Sequence, residues 1–134
     1  MYNECARLSL REQRERLPVF QHRSQVLHLL ETHRTLIVVG STGSGKSTQI
    51  PQYLLEAGWA ARGYRILVTQ PRRVAVVSVA ARVAEERGSQ IGHEVGFVIR
   101  FESSYDASST RLLFMTDGIL IQELMHDPLL SKYR

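Results

Sequence analysis

Short apolar runs alternate along this chain with longer stretches in which apolar residues recur every three or four positions. The runs are rich in β-branched and aliphatic side chains without polar alternation, which is typical of strands buried on both faces of a sheet. They predict strands at residues 35–39, 65–69, 95–100 and 111–116.

The stretches between the runs predict helices, because their apolar residues fall on one side of a helical turn. These helices cover residues 21–32, 46–59, 74–87 and 119–126. We expect an extended break at 17–20 and a polar loop at 102–110. The order α-β-α-β-α-β-β-α predicts an α/β fold with a parallel sheet, since a helix is the usual connection between parallel strands.

Residues 1–16 differ from the rest because they are polar and charged, with the run R-E-Q-R-E-R near their end. Such a segment is typical of a solvated helix or tail, although its basic residues leave contact with nucleic acid as an alternative. We therefore expect a polar N-terminal arm over 1–16 and one α/β domain over 17–134.

The overall charge is modestly basic, with seventeen Lys and Arg against thirteen Asp and Glu, a net charge of +4 and a pI near 9.6. This excess suits a polyanionic partner but does not identify one. The single cysteine, Cys5, excludes an internal disulfide, and the five histidines lack the spacing of metal ligands. No apolar run has the length of a signal peptide or a membrane span, so we expect a soluble, intracellular protein.

The stretch G-S-T-G-S-G-K-S-T satisfies the pattern G-x-x-x-x-G-K-[ST] in full, between a predicted strand and a predicted helix. Its glycines allow successive N–H groups to face a phosphate chain, and the helix start adds positive charge. Lys46 would neutralise β- and γ-phosphate oxygens, and the Ser47 hydroxyl would join the shell of a Mg²⁺ ion. A glycine-rich linker is the alternative, but it does not explain both flanks. The predicted triphosphate site comprises Gly40, Ser41, Thr42, Gly43, Ser44, Gly45, Lys46, Ser47 and Thr48.

Two further positions follow predicted strands, where ligands of parallel sheets bind. Arg72 and Arg73 stand at a helix start and suit the phosphates of a nucleic-acid backbone, or else form a solvated pair that balances Glu85 and Glu86. The run ending in Asp117 has the form of a second magnesium motif, but a hydrolase would normally carry a catalytic Glu next to it. Its neighbour is Gly118, so a strand-to-helix turn with Asp117 as the helix cap is favoured.

Five segments, 40–52, 69–75, 82–86, 92–102 and 116–120, together resemble the DEAH-box ATP-dependent RNA helicases in order and spacing. The resemblance implies a partial RecA-like P-loop NTPase domain, with ATP and Mg²⁺ bound at Gly43, Gly45, Lys46, Ser47 and Thr48. It also implies that Arg72, Arg73 and Thr116 contact the RNA backbone and that Arg82 stacks on the adenine. Stacking of a guanidinium on a base is physically reasonable.

The sequence contains no D-E-x-H, although the family continues into that motif shortly after the segments matched here. The resemblance therefore implies an N-terminal fragment of a nuclear, splicing-associated helicase that couples RNA-stimulated ATP hydrolysis to unwinding. Spliceosomal proteins and a helicase activator would be its partners, and no oligomer is expected. We expect this chain alone to bind ATP or RNA at most, without hydrolysis.

Two alternatives remain. The chain would act as a non-catalytic regulatory fragment that binds nucleotide or RNA, or as an unrelated P-loop kinase or GTPase. The basic motif after the second strand argues against the unrelated class, and the chain has no N-K-x-D for guanine.

Overall fold

A computed structural model describes residues 8–134. Within that range the helices are α1 (Leu10–Glu15), α2 (Arg23–Thr32), α3 (Lys46–Glu56), α4 (Arg73–Glu86) and α5 (Asp117–His126). The strands are β1 (Ile66–Gln70), β2 (Val95–Ile99), β3 (Glu102–Ser104) and β4 (Leu112–Thr116). Short 3-10 helices cover Pro18–His22 and Ala61–Gly63.

The four strands form one sheet in the order β1-β4-β2-β3. Strand β4 is parallel to both β1 and β2, and only β3 is antiparallel. The register places Gln70 opposite Thr116 and Val98 opposite Met115, so the parallel strands end at the same edge of the sheet. The α/β class, and the parallel sheet of a partial RecA-like domain flanked by helices, are confirmed.

The core lies between α4 and the sheet. Val76, Ala80 and Val83 are fully buried on one side of α4 and share a cluster with Leu112 and Phe114 of β4. Small side chains on the helix allow it to approach the strands closely. Every residue of β4 is buried, because alternate side chains point to opposite faces and both faces are covered. The uninterrupted apolar run in the sequence has this cause.

The predicted strand at 35–39 is wrong. Residues 35–40 form no helix or strand, and the side chains of Ile37 and Val39 are 83% and 92% exposed. A strand exists only where its backbone N–H and C=O groups pair with a neighbour, and within residues 8–134 no strand pairs with this segment. Apolar composition indicates what a segment favours, but it does not supply the partner.

Two predicted irregular segments are also corrected. The expected break at 17–20 contains the start of the 3-10 helix Pro18–His22, for which proline supplies a suitable φ at the first position. The expected loop at 102–110 begins with β3, which pairs with β2 in an antiparallel hairpin. The turn between these strands requires a positive φ of 67° at Phe101. A positive φ is unfavourable for Phe, so this turn lacks the residues that usually indicate a hairpin in a sequence.

The polar N-terminal segment contains the helix α1, which has no buried residue. Ser9 and Glu12 cap it reciprocally: the Ser9 hydroxyl accepts from the Glu12 N–H, and the Glu12 carboxylate accepts from the Ser9 N–H. The proposed boundary between an arm at 1–16 and a domain at 17–134 stays a prediction, and residues 1–7 lie outside the described residues.

Candidate nucleotide-binding cleft

The loop before α3 depends on two glycines with left-handed backbone conformations. The φ of Gly43 is +82° and that of Gly45 is +95°, a region that L side chains rarely adopt. At Gly45 a Cβ atom would also lie 2.9 Å from Cδ1 of Leu17 and 3.1 Å from Cγ1 of Val19. The loop therefore packs tightly against residues 17–19, and glycine is needed at position 45 for both reasons.

Lys46 folds back over this loop. Its Nζ donates to the carbonyl oxygens of Gly40 at 2.6 Å and Ser41 at 2.9 Å, and to the Ser44 hydroxyl at 3.2 Å. The Ser44 carbonyl in turn accepts from the Val19 N–H at 3.1 Å. These contacts hold the ammonium group at the centre of the loop, where it would meet the oxygens of a bound phosphate chain.

The first turn of α3 opens onto the same region. Its N-cap is Gly45, which has no side chain to accept from the first-turn N–H groups, and the turn contains no acidic residue. The first N–H groups of a helix have no intrahelical partner and carry partial positive charge. Ser47 is exposed there. Exposed N–H groups, an ammonium and a hydroxyl match the needs of a phosphate chain with a divalent cation.

The loop forms the floor of a cleft of about 620 Å³, a size typical of small-molecule sites. From the predicted set, the residues that line it are Thr42, Gly43, Gly45, Lys46, Ser47, Thr48 and Arg82. Gly40, Ser41 and Ser44 lie instead beside a second cavity of about 360 Å³, between α2 and residues 36–39, which Lys46 also borders. The structure thus brings Arg82 and most of the phosphate loop to one site.

Arg82 is held by two hydrogen bonds and one ion pair. Its Nη1 donates to Glu85 at 3.1 Å, its Nη2 donates to the Gln13 Oε1 at 3.0 Å, and its Nε lies 3.6 Å from the Glu86 carboxylate. The Glu86 side chain is only 2% exposed, whereas that of Arg82 is 40% exposed. A guanidinium donates hydrogen bonds within its own plane. These partners therefore fix its plane and leave its faces free of hydrogen bonds.

Sequence reasoning missed several residues around the cleft. Gln13 and Arg16 of the N-terminal segment line it, as does Glu86. Gln49 is fully buried behind it and donates to Glu86 at 2.9 Å. One local signal was present, since the spacing S-x-x-E at Ser9 and Glu12 is that of a capping box and indicates a helix start. No sequence pattern indicated that this helix reaches the cleft.

The residues predicted to contact RNA lie at the carboxyl edge of the sheet. Arg72 is exposed at the N-cap of α4, and the Nη2 of Arg73 donates to the carbonyl of Arg100 at 3.1 Å. Thr116 ends β4, opposite Gln70 of β1, and is 9% exposed. The two motifs are thus neighbours in the sheet. Both arginines are exposed, and within residues 8–134 neither forms an ion pair with Glu85 or Glu86, which pair with Arg82. Phosphate contact and a solvated pair therefore both stay predictions.

The expected helix cap at Asp117 is wrong. Thr116 occupies the N-cap position of α5, without a side-chain hydrogen bond, and Asp117 is the first helical residue. A carboxylate in the first turn stabilises a helix through its dipole, which explains an acidic residue there without a metal.

In the part of the chain that the structure describes, no helix combines the length and apolarity that a bilayer crossing demands.

The comparison with protein-family models gave no match. Similar proteins were found. The chain is 59% identical over 133 residues to "Probable ATP-dependent RNA helicase DHX35" of Homo sapiens. The aligned residues make up 99% of this chain and 19% of that relative. It is 59% identical to the protein of the same name from Pongo abelii, and 56% identical over 131 residues to "Probable ATP-dependent RNA helicase DHX35 homolog" of Caenorhabditis elegans.

The match covers 98% or more of this chain but only 18 to 19% of each of these relatives. Identity at this level over almost every residue supports both the α/β fold and the resemblance seen in the motifs. The chain is thus a relative of the DEAH-box ATP-dependent RNA helicases and spans about a fifth of the length of such a protein.

Proposed function

We propose that this chain is the ATP-binding portion of an ATP-dependent RNA helicase. One observation carries the proposal: the phosphate loop and Arg82, which lie 34 or more residues apart in sequence, border the same cleft. A triphosphate on the loop would place its nucleoside within that cleft, toward a cation suited to stacking on a base. The ATP-dependent helicases at 56 to 59% identity support the same ligand.

In this proposal Lys46 and the N–H groups of residues 42–47 bind the β- and γ-phosphates. Lys46 would exchange its present bonds to the Gly40 and Ser41 carbonyls for phosphate oxygens and would offset charge in the transition state. The Ser47 hydroxyl fits a Mg²⁺ ion, because it is exposed in the cleft and makes no hydrogen bond within residues 8–134. When bound, the cation would offset negative charge on the phosphate chain.

RNA would bind at the carboxyl edge of the sheet through Arg72, Arg73 and Thr116. The Arg72 side chain makes no hydrogen bond to another described residue and Arg72 is exposed, so its guanidinium is available to a phosphate. Arg73 keeps four further N–H donors besides the one that bonds the Arg100 carbonyl. Contacts of this kind position a backbone without reading its sequence.

The activity of the whole protein belongs to the proposal as well. We infer RNA-stimulated ATP hydrolysis coupled to unwinding or translocation, in the nucleus and in pre-mRNA splicing, with spliceosomal proteins and a helicase activator as partners. The resemblance of the motifs supports these roles. Without the D-E-x-H carboxylates the chain alone would bind ATP or RNA and not hydrolyse it. A regulatory fragment that binds nucleotide is the second candidate, because the residues that line the cleft would serve binding without hydrolysis equally well.

Titration calorimetry with Mg-ATP tests the proposal. We expect saturable heat from the 134-residue chain and its loss in Lys46→Ala, while Arg11→Gln, on an exposed face of α1, keeps it. A chain that remains folded by circular dichroism and binds no Mg-ATP would refute nucleotide binding. RNA-stimulated turnover by the chain at ordinary enzymatic rates, lost in Lys46→Ala, would show that the missing carboxylates are dispensable.

A salt titration of RNA binding tests the second surface. Each of Arg72→Ala and Arg73→Ala should weaken binding of single strands of different sequence to a similar extent and lower the slope of log K against log salt by about 0.7. An unchanged slope in both variants would exclude phosphate contacts by these arginines.

A further inference from the structure

The helix α1 connects to the cleft through Gln13. The Gln13 Nε2 donates to the Leu8 carbonyl at 2.9 Å, and its Oε1 accepts from Arg82 Nη2 at 3.0 Å. A glutamine amide has one donor end and one acceptor end. Because a carbonyl takes the donor end, the acceptor end must face the guanidinium. Gln13 and Arg82 are 69 residues apart in sequence, so only the tertiary fold makes this contact.

A second set of contacts anchors α1 next to the same arginine. Arg14 Nε donates to the Gln49 Oε1 at 2.8 Å, and Arg14 Nη2 donates to Glu56 at 2.9 Å. Gln49 is fully buried, and its Nε2 donates a hydrogen bond to Glu86 at 2.9 Å. Glu86 then lies 3.6 Å from Arg82. The helix α1 is therefore linked to the Arg82 guanidinium in two ways: directly through Gln13, and indirectly through the contacts from Arg14 to Gln49 and from Gln49 to Glu86.

The partners of Arg82 on its own helix and the partner on α1 restrict its side chain differently. Glu85 and Glu86 belong to its own helix, and by themselves they would allow the side chain to pivot along that helix surface. Gln13 approaches from a different element and holds the third corner of the guanidinium. Two hydrogen bonds and an ion pair, made to two different elements, restrict rotation about the side-chain axis. The face of the guanidinium is therefore oriented before any ligand arrives.

We propose that Gln13 is a positioning residue for nucleotide binding: it holds the Arg82 plane in the orientation that receives the nucleobase. The inference rests on the proposed function, since it requires a nucleotide in this cleft, and it assigns α1 to the nucleotide site. The phosphate loop makes its own contacts without Gln13. Loss of Gln13 should therefore reduce the contribution of the base and leave the contribution of the phosphates unchanged.

The experiment compares Mg-ATP with Mg-tripolyphosphate, which shares the phosphates and lacks the nucleoside, by calorimetry on the full 134-residue chain. The variant Gln13→Met keeps the length of the side chain and removes its acceptor. Arg82→Ala removes the stacked guanidinium and should weaken ATP binding about fivefold or more. We expect Gln13→Met to weaken ATP binding about threefold or more and to leave tripolyphosphate within about twofold.

Matched variants separate this role from a structural one. Arg11→Gln changes an exposed residue on the same helix and should alter neither affinity. Gln13→Glu loses the hydrogen bond to the Leu8 carbonyl but keeps an acceptor toward Arg82, so it should retain the preference for ATP over tripolyphosphate. Equal weakening of both ligands by Gln13→Met would mean that α1 merely supports the loop, and it would overturn the inference. So would a loss of ATP preference in Arg82→Ala but not in Gln13→Met.

Failure of the proposed function gives a different result. If the wild-type chain binds neither ligand, or if Lys46→Ala leaves both affinities unchanged, then the phosphate loop is not the site and the proposed function fails. If the wild type binds both ligands through Lys46 but Gln13→Met matches the wild type for ATP, then only the role of Gln13 is refuted. Circular dichroism of each variant confirms that it is folded before binding is measured.

Discussion

Substitution of Gly45 by alanine tests the geometry of the phosphate loop most directly. Two separate effects oppose a side chain at this position. The φ of +95° is strained for an L residue, and the added Cβ would lie 2.9 Å from Cδ1 of Leu17 and 3.1 Å from Cγ1 of Val19. Atoms at such distances must move, and Val19 is only 5% exposed. We therefore expect loss of stability as well as loss of nucleotide binding.

The size of the effect follows from these two contributions. Left-handed backbone costs an L residue about 1–2 kcal/mol, and overpacking of a filled site costs about 1–3 kcal/mol. Their sum predicts that Gly45→Ala lowers the free energy of unfolding by about 2–5 kcal/mol, out of the 5–15 kcal/mol typical of a domain. For a chain of this size the midpoint of thermal unfolding should fall by roughly 6 °C or more.

Gly43 provides the matched control. Its φ of +82° carries the same backbone strain, but an added Cβ meets no atom within 4 Å. Gly43→Ala should therefore lower the free energy of unfolding by only about 1–2 kcal/mol. The difference between the two variants, measured by urea denaturation followed by circular dichroism, isolates the contact with residues 17–19.

Two results would refute this reasoning. Equal destabilisation by Gly43→Ala and Gly45→Ala would show that the contact with Leu17 and Val19 contributes nothing. A Gly45→Ala chain as stable as the wild type would show that the loop does not hold this left-handed conformation. The double variant Leu17→Ala with Gly45→Ala adds a further check, because removal of Cδ1 should make the pair less destabilising than the sum of the single variants.

Three further predictions concern stability away from the cleft. The Tyr53 hydroxyl is buried and has no hydrogen-bond partner within residues 8–134, and burial raises the pKa of Tyr53. Tyr53→Phe should therefore leave the urea midpoint unchanged or raise it. A fall in the free energy of unfolding of more than about 1 kcal/mol would reveal a bonded hydroxyl. In Gly96→Ala the Cβ would lie 2.7 Å from the Ser104 carbonyl oxygen in the neighbouring strand, so the free energy of unfolding should fall by at least about 2 kcal/mol; a smaller loss in the same denaturation assay would contradict this contact. Hydrogen bonds from the side chain and N–H of Ser108 and from the Ser109 N–H lower the pKa of Asp106. The stability that its charge provides is therefore complete above its ordinary pKa near 4, and it is lost as the pH falls toward the lowered pKa of the folded state. Asp106→Asn should therefore be less stable than the wild type at pH 7, and the difference should shrink in melts at pH 3.

Elements whose signals are local were predictable from the sequence. The apolar run of β4 and the spaced small residues of α4 determine both their conformation and the side that is buried. The phosphate loop was predictable for a related reason, since its pattern of glycines specifies backbone dihedral angles directly, and Gly43 and Gly45 adopt the left-handed values. In these cases the chain carries the physical cause within a few residues.

The sequence by itself thus determined the α/β class, the left-handed glycines of the loop before α3 and the similarity to helicases. The tertiary structure decided which strands pair, and it left residues 35–39 unpaired despite their composition, because pairing requires a neighbour that no local pattern supplies. It also decided that α1 joins the cleft, since the contact between Gln13 and Arg82 spans 69 residues. A hydrogen bond depends on where two groups meet in space, and hydrophobic periodicity carries no information about that meeting.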